Sequence, residues 1–128
     1  MTDEQYINEW IYKAQKDIKA VEKLKDEEDI TEIVCFHCQQ AVEKFLKALL
    51  ISKGEDIQKT HNIDFLLNKC KVYNIKFEEF IGNPLSDYAV DLRYPDTKYI
   101  PTVEETNEAI ELMNKIIEIV NETFETNK

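Results

Sequence analysis

An all-α fold, an up-and-down antiparallel bundle of four main helices plus a short helix, is what this sequence predicts. Three observations predict it. Apolar residues recur at helical spacing along most of the chain. Helix-start signatures stand at the heads of two of those stretches. Finally, the 128 residues include only two Gly and three Pro, too few turn-formers for many short strands. The length suffices for one core, so a single domain over residues 1–128 is expected.

The first helix is expected from about Asp3 to Lys25. Tyr6, Trp10, Ala14, Val21 and Leu24, flanked by Ile7, Ile11 and Ile18, share one face. The acidic run "DEED" ends it, and Asp29 with Glu32 three residues on forms a capping box for the second helix. That helix continues to Lys53, with Gly54 as the residue after its end. "GEDIQKT" is a polar connector. A third helix follows from about Asn62 to Tyr73, with Ile63, Phe65, Leu66, Leu67 and Cys70 as its apolar set. "IGNPL" reads as a stop and restart, Asn83 capping and Pro84 in the first helical position. A fourth helix from Pro84 to about Arg93 would bury Leu85, Tyr88, Ala89 and Leu92. "RYPDTKYIPT" is an extended loop, since each Pro disfavours helix in the residue before it. Thr102 and Glu105 make a second capping box, opening a last helix from Val103 to about Phe124.

The chain carries 26 acidic against 16 basic residues, a net charge of −10. That opposes general binding to duplex nucleic acid, whose ligands need a basic stripe. Between Glu43 and Lys76, however, lysines outnumber acids, which leaves room for a phosphate-bearing ligand. No apolar run is long enough to span a membrane. "MTDEQYINEW" lacks a basic start followed by an apolar run, so no signal peptide is expected. Three cysteines without an export signal imply free buried thiols in a reducing cytoplasm.

The second helix holds "CFHCQQ", residues 35 to 40. On a helical wheel Ile30, Ile33, Val34, Cys38, Ala41, Phe45, Ala48 and Ile51 share one broad face that includes His37. Cys35 lies further round with Val42 and Leu46, while Gln39 and Glu43 point away. Two cysteines within one continuous helix, with no second pair, do not make a structural zinc site. Nor do they sit at a helix start after a strand, where a redox pair gains its low thiol pKa. They read as small buried hydrophobes, and neither cofactor nor metal is expected. A buried imidazole needs a partner. Asp17 interrupts the apolar face of the first helix, and Arg93 ends the fourth, so both are candidates. Two readings of this trio stay open: a structural polar network, and a ligand site. No nucleophile with an adjacent base, no Gly-rich phosphate loop and no Glu-x-x-His pair is present.

These residues carry a resemblance to the HEPN domain family (higher eukaryotes and prokaryotes nucleotide-binding). "EWIYKAQKDIKAV", "CFHCQQAVEKFLKALLISKG", "THNIDFLL" and "LRYPD" occur in order, at the family's spacing, over nearly the full length. The resemblance implies a helical bundle, commonly a homodimer. Prokaryotic members often sit beside a small nucleotidyltransferase, as in toxin–antitoxin pairs. Many HEPN proteins are ribonucleases that use Arg, four to six residues, then His. Here Arg93 is followed by "YPDTKYI", so the resemblance is to the branch lacking that motif. By resemblance, Asp17, His37, Gln40, Lys44, Lys47, Arg93 and Tyr94 form a ligand-binding set or a polar network. Three functions follow: a module that binds a nucleotide or pairs with a nucleotidyltransferase, an inert homodimeric scaffold, and a divergent ribonuclease pairing Arg93 with His37 or His61.

Overall fold

The structure is a computed structural model that describes residues 1–89 and 100–126. Its helices are α1 (Asp3–Leu24), α2 (Thr31–Ser52), α3 (Ile63–Cys70) and α4 (Val103–Glu125), with no strand among the described residues. Short 3-10 turns occupy Glu28–Ile30, Ile75–Phe80 and Pro84–Tyr88. The all-α expectation of four helices plus a short one is met, with Pro84–Tyr88 as the short element.

α2 is the central helix. α1, α3, α4 and the Pro84–Tyr88 turn all pack on it, and α1 covers the greatest length. α1 lays down Ile7, Trp10, Ile11, Ala14, Asp17, Ile18, Val21 and Leu24, a repeat of three and four residues that makes one stripe. It runs antiparallel to α2, since Trp10 meets Lys47 while Asp17 meets Lys44 and His37. α4 lies against α2 from its start: the Thr31 hydroxyl donates to the Pro101 carbonyl at 2.8 Å, and the Cys35 thiol donates to Thr106 at 3.6 Å. Leu46, Leu49, Leu66, Leu67, Phe77, Met113 and Ile116 fill the space between, fully buried. At roughly 1.5–3 kcal/mol per buried large side chain, this shared core outweighs any single polar contact described below.

Several boundaries differ from expectation. Both the Thr102–Glu105 capping box and an unanticipated one at Thr2–Gln5 are formed. The Asp29–Glu32 box is not. Residues 28–30 are already a 3-10 turn that runs straight into α2, so Asp29 lacks the extended backbone a capping residue needs; Ile30 stands at the cap without a side-chain bond. α3 stops at Cys70 rather than Tyr73. Pro84, capped by Asn83, opens only a 3-10 turn that ends at Ala89, not a full helix. The rest of that expected helix, with Leu92, Arg93 and Tyr94, lies outside the described residues. The Ile75–Phe80 turn, which buries Phe77, was not anticipated because one turn carries too little periodicity to read.

Gln39 and Glu43 require the largest correction. The wheel points them to solvent; they are 0% and 4% exposed. A wheel assigns one wet side to every helix, and α2, surrounded by neighbours, has almost none.

Candidate functional site

From Ile33 to Ile51, α2 is buried except at Ile33, Phe36, His37, Gln40 and Lys44. These spacings of three and four residues place all five on one face. The face is therefore a half-open stripe on an otherwise enclosed helix, bordered by α1.

Asp17 reaches into this stripe from α1. Its Oδ1 lies 2.8 Å from His37 Nδ1, and its Oδ2 accepts from the Lys44 ammonium at 2.5 Å. With a carboxylate as partner, Nδ1 carries the proton and Nε2 is the free ring nitrogen. The His37 ring also meets the Phe36 ring edge-on, centroids 5.4 Å apart. One acid thus holds one lysine and one histidine, each from α2, across the α1–α2 boundary.

A second cluster interleaves with the first along α2, built on Gln39, Glu43 and Lys47. Glu43 Oε2 accepts from Lys47 at 2.9 Å, and Oε1 accepts from Gln39 at 2.9 Å and from His61 Nδ1 at 2.8 Å. Gln39 also donates to the His61 carbonyl at 3.1 Å, and Gln40 donates to Gln39 at 2.7 Å. Burial pushes the Glu43 carboxyl upward, but the hydrogen bonds from Lys47, His61 and Gln39 outweigh it and leave it below its ordinary value. The Lys47 ammonium also sits 5.6 Å from the centre of the Trp10 ring. The Trp10 indole nitrogen is buried without a hydrogen-bond partner among the described residues.

Of the seven residues picked from the sequence, Asp17, His37 and Lys44 meet directly. Gln40 sits on the same face and joins the second cluster through Gln39; Lys47 belongs to that cluster. Arg93 and Tyr94 lie outside the described residues. Glu43 and Gln39 were not among the candidates, and His61 entered only as a ribonuclease partner of Arg93. The signal for the first two was available: Gln39, Glu43 and Lys47 recur every four residues on one helix, the spacing of a side-chain chain.

The chemistry these groups offer is bounded by their pairing. Lys44 and Lys47 each already face a carboxylate, so neither presents an uncompensated charge. The three cysteines are free and buried. Burial raises the Cys35 and Cys38 thiols, and pushes Cys70 up to about 12. Among the described residues no three His, Cys, Asp or Glu side chains gather as metal ligands. A cleft of about 280 Å³ lined by Met1, Tyr6, Glu9, Trp10 and Lys13 shares no residue with the half-open stripe. No described helix is long and apolar enough to cross a membrane.

Comparison with known proteins places the chain. The family model for the HEPN domain matches residues 7–123. TT1696 from Thermus thermophilus superposes with a TM-score of 0.70 at 25% identity, covering 91% of this chain and 97% of its own. ST0689, described as an archaeal HEPN homologue, gives a TM-score of 0.63 at 24% identity, covering 90% and 94%. No curated protein matches the sequence. The half-open stripe and its Asp17–His37–Lys44 cluster therefore lie within a chain that belongs to the HEPN domain family.

Proposed function

We propose that this chain is a HEPN-type binding module that holds a nucleotide on the half-open stripe of α2 and pairs with a small nucleotidyltransferase, as in toxin–antitoxin systems. One observation carries the reading: among the described residues, the Asp17–His37–Lys44 cluster occupies the one opening on an otherwise enclosed helix. A polar cluster placed there costs less to keep wet than to bury, and its fixed geometry is the kind that recognises a partner. His37 offers Nε2 to a hydrogen-bonding group, Phe36 offers a ring face for a base, and Gln40 offers an amide. Phosphates would be met by Lys44 released from Asp17, since Lys47 is held by Glu43; the sequence candidate Arg93 lies outside the described residues.

Isothermal calorimetry with ATP and GTP tests the nucleotide half. Heat that disappears in His37→Ala supports it, and the absence of heat with either nucleotide removes it. Co-expression with a nucleotidyltransferase encoded next to this chain tests the pairing. Failure to co-purify removes that half.

A second reading has its own observation. Ile33 and Phe36 are apolar and half-buried on the same stripe, which suits the seam of a symmetric homodimer with no ligand. In that case His37→Ala lowers the association constant of the chain with itself, and no nucleotide changes it. Analytical ultracentrifugation reads both.

A further inference from the structure

The two histidines of this chain share one arrangement. Each places Nδ1 2.8 Å from a carboxylate, and each carboxylate also holds a lysine of α2. They differ in what the other ring nitrogen meets. The His37 side chain is 27% exposed, that of His61 72% exposed. A surface imidazole ordinarily rotates freely. His61 does not have that freedom, because Glu43 holds its ring and Gln39 holds its backbone carbonyl. Glu43 is in turn fixed by Lys47 and Gln39 inside the protein.

From this the geometry points to His61 Nε2 as a covalent phosphoryl-acceptor site, oriented by the buried carboxylate of Glu43. The acid on Nδ1 selects the tautomer with its proton there, which leaves the Nε2 lone pair facing solvent. The same acid stabilises the positive charge that the ring acquires when Nε2 becomes a nucleophile, the role a buried acid plays behind a catalytic imidazole. Because that carboxylate is desolvated and already oriented, it supplies this stabilisation without reorganising.

The donor class is a small phosphoramidate. The Nε2 lone pair attacks phosphorus, an N–P bond forms, and the donor's own P–N bond breaks. The donor reacts as its N-protonated form, so neutral ammonia leaves with the electron pair of that bond. The ring keeps its Nδ1 proton on Glu43 and carries the positive charge, so atoms and charge balance with no further reagent. Glu43 is a positioning residue here; it touches the ring and not the phosphorus. This site does not depend on nucleotide binding at the α2 stripe.

The test incubates the intact chain with phosphoramidate at neutral pH, with N-acetylhistidine in the same tube, and maps the modified positions by mass spectrometry without acid. His61 should be phosphorylated several-fold faster than N-acetylhistidine and faster than His37. His61→Asn, whose amide nitrogen stands in for Nδ1, should abolish that modification with an unchanged melting temperature. Glu43→Gln should slow His61 and leave the His37 rate unaltered. A wild-type His61 that reacts no faster than N-acetylhistidine overturns the proposal, and that reading needs no variant to fold. An unchanged His61 rate in folded Glu43→Gln overturns the role of Glu43. In the first case His61 serves only to tie the connector to α2.

Discussion

Asp17–His37–Lys44 and Glu43–His61–Lys47 are built from the same three kinds of side chain but joined to the fold differently. In the first, the acid comes from α1 and both of its partners from α2, so the cluster spans a helix pair. In the second, acid and lysine sit four residues apart on α2, and only the histidine arrives from elsewhere. The lysine of the second is buried, while that of the first reaches the half-open stripe. Depth therefore decides which cluster is stiff. A deep pair cannot exchange its partner for water, so it works as framework. A pair at an opening can be parted by an incoming group, so it is the one suited to recognition.

Breaking the deep pair from one side is the harshest test of that contrast. Lys47→Met leaves Glu43 charged and half-satisfied in the interior, and a loss of about 3–5 kcal/mol is expected. Chemical denaturation monitored by circular dichroism measures it. Replacing both ends, as Glu43→Leu with Lys47→Met, should recover most of that loss, because a desolvated pair contributes little over an apolar one. Double-mutant recovery near zero would place the Gln39 and His61 bonds, not the ion pair, at the centre of the cluster.

Asp17→Ala should cost less, about 1–3 kcal/mol, since Lys44 and His37 can turn to water through the opening. A loss equal to that of Lys47→Met would erase the distinction between the two clusters.

Acid probes the deep cluster in another way. The folded Glu43 carboxyl titrates below its ordinary value, so the unfolded chain binds the proton first. Stability from Glu43 is therefore complete above the unfolded pKa of about 4.3 and is lost as pH falls below it. Melting temperatures between neutral pH and strong acid should show this fall. In Glu43→Gln the curve should be flatter across that window.

The smallest effect is expected at the exposed end of the deep cluster. His61→Asn keeps a donor for Glu43, and its stability should change by less than about 0.5 kcal/mol. Thermal unfolding checks it.

Much of the architecture was legible in the sequence because α1 and α4 are amphipathic in the simple sense, one face apolar and one charged. Ala14 and Val21 are buried as periodicity requires, and Thr102–Glu105 caps α4 as its spacing requires. Asp17 as a partner for His37 was legible too, as the one acid on an apolar stripe. α2 defeated the same logic. Its neighbours surround it, and burial there follows from tertiary packing that no periodicity encodes. Gln39 and Glu43 looked wet because the wheel sets them opposite the apolar face, when their hydrogen-bond partners lie within the same helix and at residue 61. The loss of the Asp29 cap has a related cause, since a 3-10 turn can replace a capping side chain and leaves no sequence mark.

The three buried thiols make this chain a timer of its own opening. Cys35, Cys38 and Cys70 are each fully enclosed, and burial suppresses the thiolate that alkylating reagents attack. Cys35 lies on α2 against Thr106 of α4, Cys38 follows three residues on along α2, and Cys70 ends α3 against the Leu46 carbonyl. Labelling that advances at Cys70 before Cys38 would mean that α3 peels away while α2 stays in place, which resolves partial unfolding without any added probe. A cysteine introduced on the surface could likewise be tagged selectively, with the native three left unlabelled.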